Sequence, residues 1–88
     1  MTENIEDQEL TLMNSGGVFV KMRKPNVLDN WRSQMKANND AMQFLLHVLS
    51  AICLFDGKPW SYEQLLTMDP GDCSLLLKEY MKRYGKKA

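Results

Sequence analysis

The fold of this chain is decided by residues 41–55, which read AMQFLLHVLSAICLF. Apolar side chains in this stretch recur at the three- and four-residue spacing of a helix, and they occupy two faces rather than one. Only Gln43, His47 and Ser50 are left to form a polar seam. A helix that is apolar on most sides must be covered on most sides. The stretch therefore predicts a central helix over its whole length, covered either by the rest of the chain or by another chain.

The composition indicates a single small domain. The chain has 88 residues, 44% of them hydrophobic, with 11 basic and 11 acidic side chains. A chain of this length buries enough apolar surface for one domain of marginal stability. The charges are uneven, because the start of the chain is acidic and its end is basic. We expect a flexible acidic tail at 1–8, one helical domain at 9–85 and a basic tail at 86–88, the tails being either solvated or contact strips for a partner.

Local signals predict the order of the elements. Alternating runs at 9–13 and 18–22 flank Asn14-Ser15-Gly16-Gly17, which is typical of a β-hairpin. Helix-capping residues then precede four segments, and they are Asn26, Asp40, Ser61 and Asp69. The first of these helices carries its apolar side chains on one side, and they are Val27, Leu28, Trp31 and Met35. The fold class is therefore mainly α, a small helical domain of about four helices with an N-terminal β-hairpin.

The two cysteines and the hydropathy pattern bear on the compartment. Cys53 and Cys73 fall at apolar positions of predicted helices, and two cysteines do not make a disulfide framework. The N-terminus lacks the charged-then-apolar pattern of a secretion signal. The apolar stretch 44–55 is too short to cross a bilayer. We predict reduced thiols, no membrane contact and a cytoplasmic location.

Few residues could support catalysis. The single histidine, His47, lies between Leu46 and Val48 and has no nucleophile or carboxylate near it in the sequence. His47, Cys53 and Cys73 do not match the spacing of zinc ligands. The only paired glycines lie in the predicted hairpin turn, so we expect no phosphate-binding loop. We expect no catalytic residue, no metal ligand and no cofactor, so the chain is predicted not to be an enzyme.

The end of the chain could be drawn as a helix-turn-helix, a motif that binds DNA. A recognition helix presents polar or basic residues at its N-terminal end. Here that end reads Asp72-Cys73-Ser74-Leu75-Leu76, which is acidic and then apolar. We therefore predict that the chain does not bind nucleic acid, although a DNA-binding regulator stays among the alternatives.

Large amphipathic side chains are the remaining signal. Trp and Tyr are common at protein–protein hot spots, and they are also ordinary core residues. If one face of the central helix is lent to a partner, the helix-in-groove mode of binding applies. The residues that we predict to contact the partner are Leu45, Val48, Leu49, Ile52, Phe55, Trp60, Leu76 and Tyr80.

Two stretches carry a family resemblance. They are VKMRKP at 20–25 and FDGKPWSYEQLLTMD at 55–69. They resemble the corresponding stretches of the small tail assembly chaperones of Mu-like and related contractile-tailed phages. The resemblance covers roughly residues 18–84, and its motifs are a proline, a glycine, helix caps and leucines. Met22 departs from the pattern, because the family has Leu or Val there.

The resemblance implies a non-catalytic function. Such chaperones bind the long helical tape-measure protein in the bacterial host cytoplasm and keep it soluble until the tail tube polymerises around it. The tape-measure protein is thus the expected partner, and the tail tube protein and a second copy of the chain are further options. The alternative is a small oligomeric structural or regulatory helical protein, either a virion component or a DNA-binding regulator.

Overall fold

The computed structural model describes residues 9–85, which form four helices and a three-stranded antiparallel sheet. In chain order the elements are β1 (Glu9–Leu12), β2 (Val18–Met22), α1 (Val27–Lys36), α2 (Ala41–Ile52), β3 (Cys53–Phe55), α3 (Tyr62–Leu66) and α4 (Pro70–Tyr84). The prediction of a mainly helical chain with a hairpin is confirmed. The predicted tails at 1–8 and 86–88 lie outside the described residues.

The hairpin forms where the glycines allow it. A single 3-10 turn at Met13–Ser15 leads into Gly16 and Gly17, whose φ angles are +85° and +80°. Residues other than glycine rarely adopt such backbone angles, so Gly16 and Gly17 determine where the chain reverses direction. In β2 the inward side chains Val20 and Met22 are buried, whereas Phe19 and Lys21 are exposed, as the alternation predicts.

The predicted helix from 41 to 55 is too long. The helix α2 ends at Ile52, and Cys53 adopts extended backbone angles of −105° and 142°. The next residues form β3, which pairs with β2 so that Phe55 lies opposite Val20 and Cys53 opposite Met22. A three-residue apolar run has the same appearance at the end of a helix as in a strand, so periodicity could not place the boundary. Pairing with β2 satisfies the backbone of the run and buries its first and last side chains.

The chain itself covers α2. The core combines buried side chains from the sheet, α2, α3 and α4, and they are Leu12, Val20, Met22, Leu46, Val48, Leu49, Ile52, Cys53, Phe55, Leu65, Leu76 and Tyr80. The sequence allows the apolar helix to be covered either by the rest of the chain or by another chain. In the described residues the rest of the chain covers it. Burial also raises the pKa of the Cys53 thiol to about 12, so this thiol stays protonated at neutral pH.

The turn of the hairpin is tied to the start of α4. Asn14 Nδ2 donates to Asp69 Oδ2 at 3.0 Å, and the Ser15 hydroxyl donates to the buried carboxylate of Asp72. Asp69 is also the N-cap of α4, because it accepts from the Asp72 backbone N–H at 3.1 Å. The hydrogen bond from Asn14 lowers the pKa of Asp69. These bonds join segments that are far apart in the sequence.

A second set of hydrogen bonds fixes the start of α1. Arg23 donates to both carboxylate oxygens of Asp29, at 2.7 and 3.0 Å, and to the Ala51 carbonyl at 3.2 Å. Asp29 also completes a capping box with Asn26, each residue accepting a backbone N–H of the other at 2.9 Å. The hydrogen bond from Arg23 lowers the pKa of Asp29. The Arg23–Asp29 ion pair thus joins the end of β2 and the start of α1, and Arg23 extends this link to the last turn of α2.

We expect Asp29→Ala to lower the free energy of unfolding by about 1 kcal/mol near neutral pH, from the lost cap and ion pair. Because the folded-state pKa of Asp29 is depressed, this contribution is complete above the unfolded-state pKa of about 4 and is lost as pH falls through the folded-state pKa. Urea unfolding of both proteins at about pH 7 and about pH 2.5 measures this. Glu63→Ala is the control, and a difference that persists undiminished in acid contradicts the assignment.

Candidate protein-binding surface

Most of the residues predicted to contact a partner lie in the core. Six of the eight are buried, with Tyr80 at 9% the most exposed of them. They are Val48, Leu49, Ile52, Phe55, Leu76 and Tyr80. Most of these side chains are covered by other elements of the described chain, and their contact with a partner stays a prediction. The physical reason for this burial is that α2 packs against elements of its own chain on most sides.

Two of the predicted residues do meet beside a groove. Leu45 on α2 and Tyr80 on α4 line a depression of about 570 Å³, which we call the α2–α4 groove. Phe44 and Met81 line the same groove, and Asn30 from α1 forms part of its wall. Its apolar lining residues Phe44, Leu45 and Met81 make it a secondary candidate for contact with a partner.

Trp60, which is also predicted to contact a partner, packs against the core in this structure. Its ring stacks on Phe55, with the ring centroids 4.1 Å apart and the planes 7° from parallel. Its backbone carbonyl accepts a hydrogen bond from Ser50 Oγ at 2.7 Å. The half-buried indole therefore covers the core at Phe55, the last residue of β3, and it contributes to the stability of the fold.

The largest unexpected feature is the outward face of α1. Four apolar side chains there are exposed, and they are Val27 at 85%, Leu28 at 47%, Trp31 at 59% and Met35 at 69%. We call this set the outer face of α1. Soluble helices usually turn such a stripe toward the core. Here α1 lies against α2, and its buried positions are small, namely Ser33 within the helix and Ala37 at its C-cap.

The sequence carries a signal for this surface. Periodicity puts the four apolar residues on one side of the predicted helix, but it does not show whether that side is covered or exposed. The opposite side offers Ser33 and Ala37, whose small side chains permit a close approach of two helix backbones. When a helix has small residues on one side and large apolar residues on the other, the small-residue side can therefore be the one that packs against the domain.

A polar groove runs along the other side of α1. It has a volume of about 420 Å³ and lies between α1, α2 and α3; we call it the α1–α3 groove. Arg32 and Lys36 line it from α1, and His47 and Tyr62 line it from α2 and α3. The imidazole stacks on the Tyr62 ring, with centroids 4.0 Å apart and planes 10° from parallel. Partial burial, and then the charge of Lys36, lower the pKa of His47.

The described residues bring no reactive set together. Among residues 9–85 there is no group of three His, Cys, Asp or Glu side chains that could hold a metal ion. Both cysteines are free thiols, Cys53 buried and Cys73 half-buried. No helix in this part of the chain has the length and apolar character needed to cross a bilayer. What these residues do offer is an exposed apolar helix face between two grooves.

Comparison of the chain with protein-family models, with curated proteins and with solved structures finds no match.

Proposed function

We propose that this chain is a non-catalytic tail assembly chaperone that binds the tape-measure protein and keeps it soluble in the host cytoplasm while the tail forms. The observation that supports this best is the outer face of α1. Four large apolar side chains stand exposed on one helix of a small domain whose core is otherwise well covered. Exposed apolar sets of this kind mark interaction sites in soluble proteins.

The geometry suits a helical client. A second helix can lie along α1 and pack side chains three and four residues apart against the row Val27, Trp31 and Met35. An exposed tryptophan at the middle of the row has the character of an interface hot spot. A tape-measure protein is long and helical, so it could present such a stripe many times. Moderate affinity is expected, because the client must later be released to the tail tube protein.

The proposal is tested by co-expression. We expect the long helical tape-measure-like protein of the same genome to be insoluble alone and to co-elute with this chain when both are made together. Size-exclusion chromatography with light scattering measures the complex and its stoichiometry. A self-oligomer of this chain that leaves the long protein insoluble contradicts the proposal and favours the alternative, a small oligomeric structural or regulatory helical protein.

A further inference from the structure

The outer face of α1 has two unlike borders. Its apolar row Val27, Trp31 and Met35 runs beside a second row at the same four-residue spacing, Leu28, Arg32 and Lys36. Residues four apart on a helix lie one above the other, so the two cations form a short positive edge next to the apolar row. We call Arg32 and Lys36 the basic edge. The opposite border of the apolar row holds the neutral residues Asn30 and Gln34.

The basic edge is only partly offset by the described part of the chain, where the charge of Arg32 helps to lower the pKa of Asp29. Among residues 9–85 neither Arg32 nor Lys36 makes an ion pair, and both are exposed. The nearby carboxylate of Asp29 is occupied by two hydrogen bonds from Arg23. Across the α1–α3 groove, Glu63 is the acidic residue on α3. An additional anion at this border therefore meets two cations that make no ion pair within residues 9–85.

We propose that the occupant of the outer face of α1 is an amphipathic helix of the client whose apolar stripe is bordered on one side by Asp or Glu side chains. Its apolar stripe covers Val27, Trp31 and Met35, and its acidic border meets the basic edge at the mouth of the α1–α3 groove. The asymmetry of the two borders fixes the direction in which the client helix lies. This inference rests on the proposed function and adds the chemistry of the segment that is bound.

The same charges disfavour a second copy as the occupant. An antiparallel pair of α1 helices centred on Trp31 places like borders against each other, so that Arg32 of one copy lies close to Arg32 of the other. Like charges at this spacing weaken a helix pair. A client with an acidic border gains attraction at the position where a second copy meets repulsion.

His47 supplies a reporter for the basic edge. It is the single histidine of the chain, so its imidazole proton signal in an NMR spectrum is unambiguous. The charged groups facing the groove around it are Asp29, Arg32, Lys36 and Glu63. Carboxylates that enter the groove mouth offset the charge of Lys36, which lowers the pKa of His47. Binding of an acidic border should therefore raise the pKa of His47.

Two synthetic helices provide the test. Each has about 18 residues, long enough for appreciable helicity in water, and both carry the same apolar stripe. One has glutamate along one border and the other has lysine there. We expect the glutamate peptide to bind about tenfold more tightly at low salt, from two exposed ion pairs and the matching repulsion, and to raise the pKa of His47. Calorimetry and an NMR titration measure the two effects.

Charge reversal provides the matched variant. The pair Arg32→Glu and Lys36→Glu should invert the preference, so that the lysine peptide binds more tightly. The pair Lys78→Glu and Lys82→Glu changes two exposed lysines at the same spacing on α4 and should leave the preference as it is. Circular dichroism of both double variants checks that they fold.

The outcomes separate the inference from the function on which it rests. The inference is overturned if both peptides bind equally well, if neither binds, or if the preference survives charge reversal at Arg32 and Lys36. Each of these results counts against it even where the tape-measure-like protein still co-elutes. If the tape-measure-like protein does not co-elute with the wild-type chain, the proposed function itself is contradicted. A dimer of the chain alone that Trp31→Asp dissociates shows that a second copy occupies the face, and this also overturns the inference.

Discussion

Leu49→Asp should unfold the chain. Leu49 lies in the middle of α2 and has no exposed surface. Removing a fully buried leucine costs about 2–5 kcal/mol, and placing a carboxylate among apolar side chains without a partner adds several kcal/mol more. A domain of this size has a free energy of unfolding of about 5–10 kcal/mol. Far-UV circular dichroism should show the loss of helix, and urea or heat should produce no cooperative transition.

Met35→Asp is the matched control for Leu49→Asp, because it places the same charge on an apolar helix position that is 69% exposed. Its spectrum and melting temperature should remain close to those of the wild type, since surface substitutions usually change stability by less than about 0.5 kcal/mol. A Leu49→Asp chain with native helicity and a cooperative transition would falsify the assignment of Leu49 to the core.

Trp31→Asp should abolish client binding while the fold remains intact. Trp31 is 59% exposed at the centre of the outer face of α1, so its loss costs the domain little. Truncating a tryptophan at an interface hot spot costs at least about 2 kcal/mol. An aspartate there also has to be desolvated against the client, and the total corresponds to a loss of affinity of about 100-fold. A pull-down of the co-expressed tape-measure-like protein, with circular dichroism beside it, measures both effects.

Met13→Asp is the control for Trp31→Asp. Met13 is also a large exposed apolar residue, at 73%, but it lies in the hairpin turn that is tied to the start of α4. We expect this variant to retain the client. If both variants bind as the wild type does, or if both lose the client equally, the outer face of α1 is not the specific binding surface.

Local chemistry made much of the fold predictable. The hairpin follows from two glycines between alternating runs. The caps Asn26, Asp40 and Ser61 each accept the backbone N–H three residues ahead, as predicted. Such signals depend on groups within a few residues of one another. The strand β3 was missed because its partner, β2, lies about 30 residues earlier in the chain.

The candidate site was less predictable, since it depends on which face of each helix is covered. Apolar periodicity shows that α2 needs cover, but it does not show that the sheet, α3 and α4 supply it. It also suggested a buried role for any apolar stripe, whereas α1 packs through Ser33 and exposes Trp31. That choice follows from the close fit of α1 on α2, which only the assembled chain reveals. The candidate contact surface therefore lies on the outer face of α1.

The placement of the two indoles gives the chain a pair of independent optical probes. Trp60 stacks against Phe55 over the core, whereas Trp31 stands in solvent on α1. Fluorescence from the first depends on whether the chain is folded, and fluorescence from the second depends on whether its face is covered. With Trp31 replaced by Phe, the remaining emission follows denaturation alone. The difference between the two proteins then follows complex formation in real time, without any attached dye.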